Sequence, residues 1–188
     1  VNDNAGNQNM MWTSSRRQFL KCSTGLLLGL TLPMRLLASA PERQLAFYNL
    51  HTGESLRLSY WVDGDYVADA LPSLNHLMRD HRTNEVYPMQ PKLLDQLYVL
   101  QQLVATPGPF HVISAYRSPK INQRLQVKSS GVAKKSLHMQ GMAIDICLPG
   151  KSLGQLHQAA LSLQAGGVGY YPRSNFIHLD VGRVRHWA

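Results

Sequence analysis

Residues 136–145 read SLHMQGMAID, and they pose a choice between an ordinary buried strand and part of a metal site. Side chains on a strand alternate between two faces. Over Gly141 to Cys147 this puts Met142, Ile144 and Ile146 on one face and Gly141, Ala143 and Asp145 on the other. The first face is a core. The second carries a carboxylate with almost no bulk beside it, and burying a carboxylate costs several kcal/mol unless it is paired or coordinates a metal.

The stretch FIHLDV, residues 176–181, reads the same way. Ile177, Leu179 and Val181 alternate with Phe176, His178 and Asp180, so His178 and Asp180 share the face opposite the apolar one. They are about 6.5 to 7 Å apart along such a strand, which places Asp180 beside His178 but not on the same ligand position. His138, Asp145 and His178 together form a two-histidine, one-carboxylate set that suits zinc, with a fourth position for water activated by the residual positive charge. Spacing alone leaves open the other reading, in which the histidines are structural.

Working outward, RQLAFYNLHTGESLRLSYW predicts a hairpin of strands Gln44–Asn49 and Ser55–Trp61 turning at Thr52–Gly53. A helix follows from Asp69, as N-cap, to about Asp80, and a second starts near Pro91 with Leu93, Leu94, Leu97, Leu100 and Leu103 on one stripe. FHVISAY is a strand, residues 119–125 a polar helix, and QVKSSGVAKKS a mobile loop. SLGQLHQAALSL is an amphipathic helix, GGVGYY a strand and PRSN a turn. The expected class is α+β, a small antiparallel sheet with flanking helices.

At 188 residues and 44% hydrophobic content the chain can bury one moderate core. SRRQFLK precedes an apolar run and Ala38-Ser39-Ala40, the order of an export signal, so residues 1–40 read as a leader and 41–188 as the domain. SRRQFLK matches the twin-arginine export consensus, which implies passage through that machinery and a periplasmic destination. The apolar run falls short of the roughly 20 residues of a membrane span, so no stable membrane insertion is expected after cleavage; an uncleaved anchor is the competing reading. The whole chain carries +8, and losing Arg16, Arg17, Lys21, Arg35 and Asp3 with the leader leaves +5. For an exported protein this points to an anionic envelope polymer rather than nucleic acid, although a merely solvated basic surface gives the same number. Cys147 is then the only cysteine, expected as a buried thiol.

SLHMQGMAID resembles the S-x-H-x-x-G-x-A-x-D motif of the LAS metallopeptidases, FIHLD their strand with the third zinc ligand, and SAYRS the segment with their substrate arginine. NLHTGESLRLSYW, LNHLMRDHRTNEV and PKLLDQLYVL are similar to the periplasmic murein endopeptidases of the YcbK (MepK) type. The resemblance implies that His138, Asp145 and His178 bind Zn2+, that Arg117 holds the substrate and stabilises the oxyanion, and that the fold is of the hedgehog/D-Ala-D-Ala peptidase kind. It implies peptidoglycan stem peptides as substrate, cut at D-Ala to diaminopimelate or diaminopimelate to diaminopimelate bonds.

One position departs from that pattern. Related dipeptidases carry a general-base glutamate three residues before the third ligand, where this chain has Asn175, which takes no proton at neutral pH. Asp180 is the first candidate base in its place; its other reading is a carboxylate that orients His178. His111, His186, Tyr170 and Tyr171 are weaker candidates for proton or oxyanion work, and Ser136 is either a hydrogen-bond partner of the first ligand or a loop cap. The rival expectations are cleavage of D-Ala-D-Ala termini, which Asn175 argues against, and a zinc-containing wall-binding module without turnover.

Overall fold

A computed structural model describes residues 42–106, 108–128 and 131–188; the leader expected over residues 1–40 lies outside the described residues. Strands β1 (Glu42–Asn49) and β2 (Ser55–Val62) form the expected hairpin, extended by the two-residue β3 (Asp65–Tyr66). Helices α1 (Ala70–Leu77) and α2 (Pro91–Leu103) lead to β4 (Phe110–Ser114) and α3 (Pro119–Lys128). The last third supplies β5 (Ala143–Cys147), α4 (Leu153–Ser162), β6 (Gly167–Tyr171), β7 (Phe176–Asp180) and β8 (Arg185–Trp187).

All eight strands join one sheet in the order β3-β2-β1-β4-β5-β7-β6-β8. The α+β class is as expected, but the sheet is larger and mixed. β1 pairs β4 in parallel, and β6 pairs β8 in parallel. The first parallel joint is possible because α1 and α2 intervene and give the chain length to cross over. The second arises because the chain leaves the β6–β7 pair and returns on the free edge of β6. β8 was not foreseen: three residues carry too little alternation to announce a strand.

Periodicity explains the core. Leu93, Leu94, Leu97 and Leu100 of α2 are buried as one stripe, each contributing about 1.5 to 3 kcal/mol by leaving water. Leu103, expected on that stripe, is exposed at the helix end. The stripe joins Leu156 and Ala160 of α4 and the apolar face of β5 and β7, made by Ile144, Ile146, Ile177 and Leu179. α4 starts on a capping box, Ser152 with Gln155. α3 continues through Gln126–Lys128, so the segment expected as loop from Gln126 begins as helix. Cys147 is a free, half-buried thiol whose pKa burial raises.

Candidate metal centre

The register of β5 on β7 does most of the assembly. Antiparallel pairing sets Asp145 opposite His178 and Ala143 opposite Asp180, so the carboxylate and the imidazole meet as direct cross-strand neighbours on the face away from the core. His138 arrives differently. It sits on a 3-10 turn, Leu137–Gln140, that ends at Gly141 with φ +64°. A side chain at Gly141 would run into the Pro88 carbonyl, so glycine is needed there both for the left-handed backbone and for the close approach. The expected strand from Gly141 therefore begins at Ala143, and the histidine is carried by the turn in front of it.

Both rings are held in one orientation by their far nitrogens. His138 Nδ1 donates to the Ala115 carbonyl at 2.6 Å, which leaves Nε2 as its lone-pair nitrogen. His178 Nε2 lies 3.0 Å from Asp180 Oδ2, where the carboxylate accepts, and turns Nδ1 the other way. His138 Nε2 and His178 Nδ1 stand 3.1 Å apart, and Asp145 Oδ1 is 3.3 Å from the first and 2.9 Å from the second.

With neutral imidazoles, three acceptors face one another with no donor between them, and all three residues are buried. That arrangement is repulsive unless a cation sits among them, so the donor set fits a metal ion. Burial works against ionising Asp145, yet the two imidazoles outweigh it and hold the carboxyl well below its ordinary range. Burial likewise works against charging His178, and the carboxylates of Asp145 and Asp180 outweigh it and raise its pKa.

Arg117 follows β4, its backbone N–H donating to the His138 carbonyl and its Nη2 3.8 Å from Asp145 Oδ2. Its guanidinium also reaches Asn122 Oδ1 and Ser114 Oγ at 3.5 Å, while the buried Nε has no partner. Burial lowers the Arg117 pKa, with Asp145 partly offsetting it. The Arg117 side chain is thus largely buried with one N–H unused, and its Nη contacts are long.

Asp180 does lie beside His178, but on the ring edge turned away from Asp145. It is wholly buried and accepts from Gly167 N, Gly182 N and both Nη atoms of Arg185 in addition to His178. The expected proton-handling role does not suit that placement, because no lone pair is left facing the cleft; the orienting role does. A side chain at Gly167 would collide with this Asp180–Arg185 pair.

Asn175 takes a left-handed backbone, φ +53°, in the turn between β6 and β7, and its side chain is exposed. Asparagine tolerates that conformation, which accounts for the residue on backbone grounds. His111 packs on the Tyr48 ring and His186 lines a separate groove, so neither reaches the cluster. Tyr170 stacks on His157. Ser136 is buried in the cleft wall and makes no side-chain cap to the turn.

A cleft of about 430 Å³ opens over the cluster, lined among others by Arg117, Lys135, Tyr171, Phe176, Arg185 and Trp187. Sequence reasoning missed Arg185 and Trp187. They enter on β8, and RHW beside the C-terminus gave no periodic signal.

A buried His–Asp–His set at the floor of a cleft, with an arginine beside it, is a group that could hold a metal ion. Residues 37–187 match the family described as peptidoglycan L,D-endopeptidase MepK, and the chain belongs to that family of peptidases. It is 48% identical over 151 residues to peptidoglycan L,D-endopeptidase MepK of Escherichia coli K12, covering 80% of this chain and 83% of that protein. It is 42% identical over 178 residues to the probable peptidoglycan L,D-endopeptidase MepK of Haemophilus influenzae, covering 92% and 95%.

Proposed function

We propose that this chain is a zinc-dependent peptidoglycan endopeptidase that hydrolyses peptide cross-links between stem peptides. The observation that carries the reading is the convergence of His138 Nε2, Asp145 Oδ1 and His178 Nδ1 on one point with no donor among them. When bound, zinc supplies a Lewis acid that polarises the scissile carbonyl and activates water.

The chain's own residues do the rest. Arg117 holds the substrate and donates to the carbonyl oxygen as it gains charge. Asp180 fixes the tautomer and the orientation of His178. Asp145 is the only acid among the described residues of the cleft wall, whereas Arg117, Lys135 and Arg185 all line it. Arg185 is neutralised by Asp180, so Arg117 and Lys135 are the cations left to offset negative charge that builds up in the cleft.

The relatives' name specifies a bond from an L to a D centre. A diaminopimelate to diaminopimelate cross-link has that stereochemistry, with the L-centre carbonyl joined to the D-centre nitrogen; a D-Ala to diaminopimelate link is D on both sides. Both links place the free carboxylate of the D-centre next to the scissile nitrogen, a match for Arg117 and Lys135, so the stereochemistry on the carbonyl side is what separates them. The exposed Asn175 weighs against the dipeptidase rival.

The destination in this reading is the periplasm, by way of the SRRQFLK leader. No helix among the described residues is long and apolar enough to cross a membrane. Export should stop when Arg16 and Arg17 are both replaced by lysine; efficient export of that precursor would remove the twin-arginine assignment. For the activity, the mature zinc-loaded protein is incubated with murein sacculi and the released muropeptides are analysed. Loss of diaminopimelate-linked dimers is expected. Dimers that persist, or D-alanine released from pentapeptides with dimers intact, would overturn the reading.

A further inference from the structure

Tyr171 and Trp187 line the same cleft as the metal cluster. Trp187 Nε1 lies 2.8 Å from the Tyr171 hydroxyl oxygen. An indole N–H donates and never accepts, so the tyrosine oxygen is the acceptor in this bond and its own proton must point elsewhere. No other hydrogen-bond partner of that hydroxyl is found among the described residues, and Tyr171 lines the cleft.

Both partners are fixed. The Tyr171 ring stacks on Phe176, its cross-strand neighbour, with centroids 4.6 Å apart. The Trp187 ring leans on the His178 imidazole at 5.2 Å and lies 5.0 Å from the Arg185 guanidinium carbon. Gly169, opposite His178 in the sheet, makes room for the indole; a side chain there would strike it. Tyr171 is also within electrostatic reach of Arg117. The result is a fixed hydroxyl in the wall of the site whose partner Trp187 takes up its oxygen and leaves its proton for a ligand.

We propose that Tyr171 is a catalytic residue whose O–H donates a hydrogen bond to the oxygen of the scissile carbonyl, with Trp187 as the positioning residue that aims it. The inference rests on the endopeptidase reading above. The phenol keeps its proton throughout; the bond strengthens as negative charge builds on the oxygen, which favours the transition state over the bound substrate. This complements Arg117, whose charge also attracts the substrate before reaction.

The test uses the mature zinc-loaded protein, a diaminopimelate-linked muropeptide dimer and a phosphinate isostere of the scissile bond. Tyr171→Phe keeps the ring and its stack on Phe176. It should lower kcat by about 10²-fold, the scale of one oxyanion donor, with KM nearly unchanged. It should also weaken phosphinate binding by a similar factor while leaving product-peptide affinity as it was. Trp187→Phe should give a smaller loss, roughly tenfold. Because Trp187 also touches His178, zinc content is measured on each variant; where zinc is retained, the double variant should be no worse than Tyr171→Phe alone, since the indole then acts on the reaction through the hydroxyl.

Equal kcat and equal phosphinate affinity in Tyr171→Phe would overturn the proposal, as would losses that multiply in the zinc-retaining double variant. Should Tyr171→Phe fail to fold, Trp187→Phe decides: unchanged phosphinate affinity overturns the proposal and weakened affinity with unchanged product affinity supports it. A wild type that leaves the dimer intact defeats the endopeptidase reading instead, so the two failures are distinct.

Discussion

Two buried aspartates separate the structural from the functional parts of this molecule. Asp80, after α1, and Asp145, on β5, are about equally removed from solvent, 2% and 6% exposed. Asp80 Oδ2 accepts from the Ser118 backbone and hydroxyl at 2.8 Å, and its Oδ1 accepts from the Arg82 backbone at 3.0 Å. Burial alone would raise the pKa of Asp80, but these donors outweigh it and hold the carboxyl below its ordinary value. Every oxygen there is satisfied by a donor that cannot leave. Asp145 meets two imidazole nitrogens turned toward it as lone pairs and an arginine too far for a hydrogen bond. Burial by itself therefore marks neither a scaffold nor a site; the difference lies in whether the surrounding atoms complete the carboxylate or leave a place for a cation.

The contrast can be broken most severely at the cluster. His138→Ala should remove bound zinc and cut muropeptide cleavage by about 10³-fold or more, since two remaining ligands do not hold a catalytic metal. Metal content by elemental analysis alongside turnover is the check, and retained zinc with retained activity would dismiss the site. Next comes Arg117→Ala, expected to lower kcat/KM by about 10²-fold with zinc still bound, read from the same two measurements.

Asp180→Asn separates orienting from proton transfer. An orienting carboxylate predicts a drop in zinc affinity of about 10 to 100-fold, measured by chelator competition. An unchanged affinity with a displaced pH profile would restore Asp180 to the role first expected of it.

The smallest effect on chemistry belongs to Asp80. Asp80→Asn should leave turnover per folded molecule unchanged and cost about 1 to 3 kcal/mol of stability, because a donor replaces an acceptor facing Ser118. The sign with pH follows from the lowered pKa. A carboxyl whose folded pKa lies below its unfolded value stabilises above the unfolded value and loses that contribution as pH falls through the folded one. The stability gap between wild type and Asp80→Asn should thus be full near neutrality and narrow below about pH 4. Denaturant melts at two pH values measure it, and a gap that widens in acid would refute the assignment.

The same logic explains what could be read from the chain beforehand. Alternation in GMAIDIC and FIHLDV placed Ile144, Ile146, Ile177 and Leu179 in the core and turned Asp145, His178 and Asp180 the other way, and each lies on the face so assigned. Helices α2 and α4 followed from their apolar positions, and α2 also from Pro91 at its start. Alternation is silent on register. It says that Asp180 is near His178, but not which edge of the imidazole it meets or that Arg185 closes over it. It is silent too on short elements such as β8, whose Trp187 and Arg185 line the cleft through a parallel joint to β6.

The sequence by itself determined the class of fold and the polar face of the two central strands, and it singled out three candidate metal ligands, because each is written in a local period or a compact motif. Only the tertiary structure decided which nitrogen of each histidine faces the centre, where Asp180 spends its lone pairs and which residue donates to the Tyr171 hydroxyl. Those depend on hydrogen bonds between residues far apart in the chain, whose partners are fixed by strand register and by how closely glycines let neighbouring segments approach.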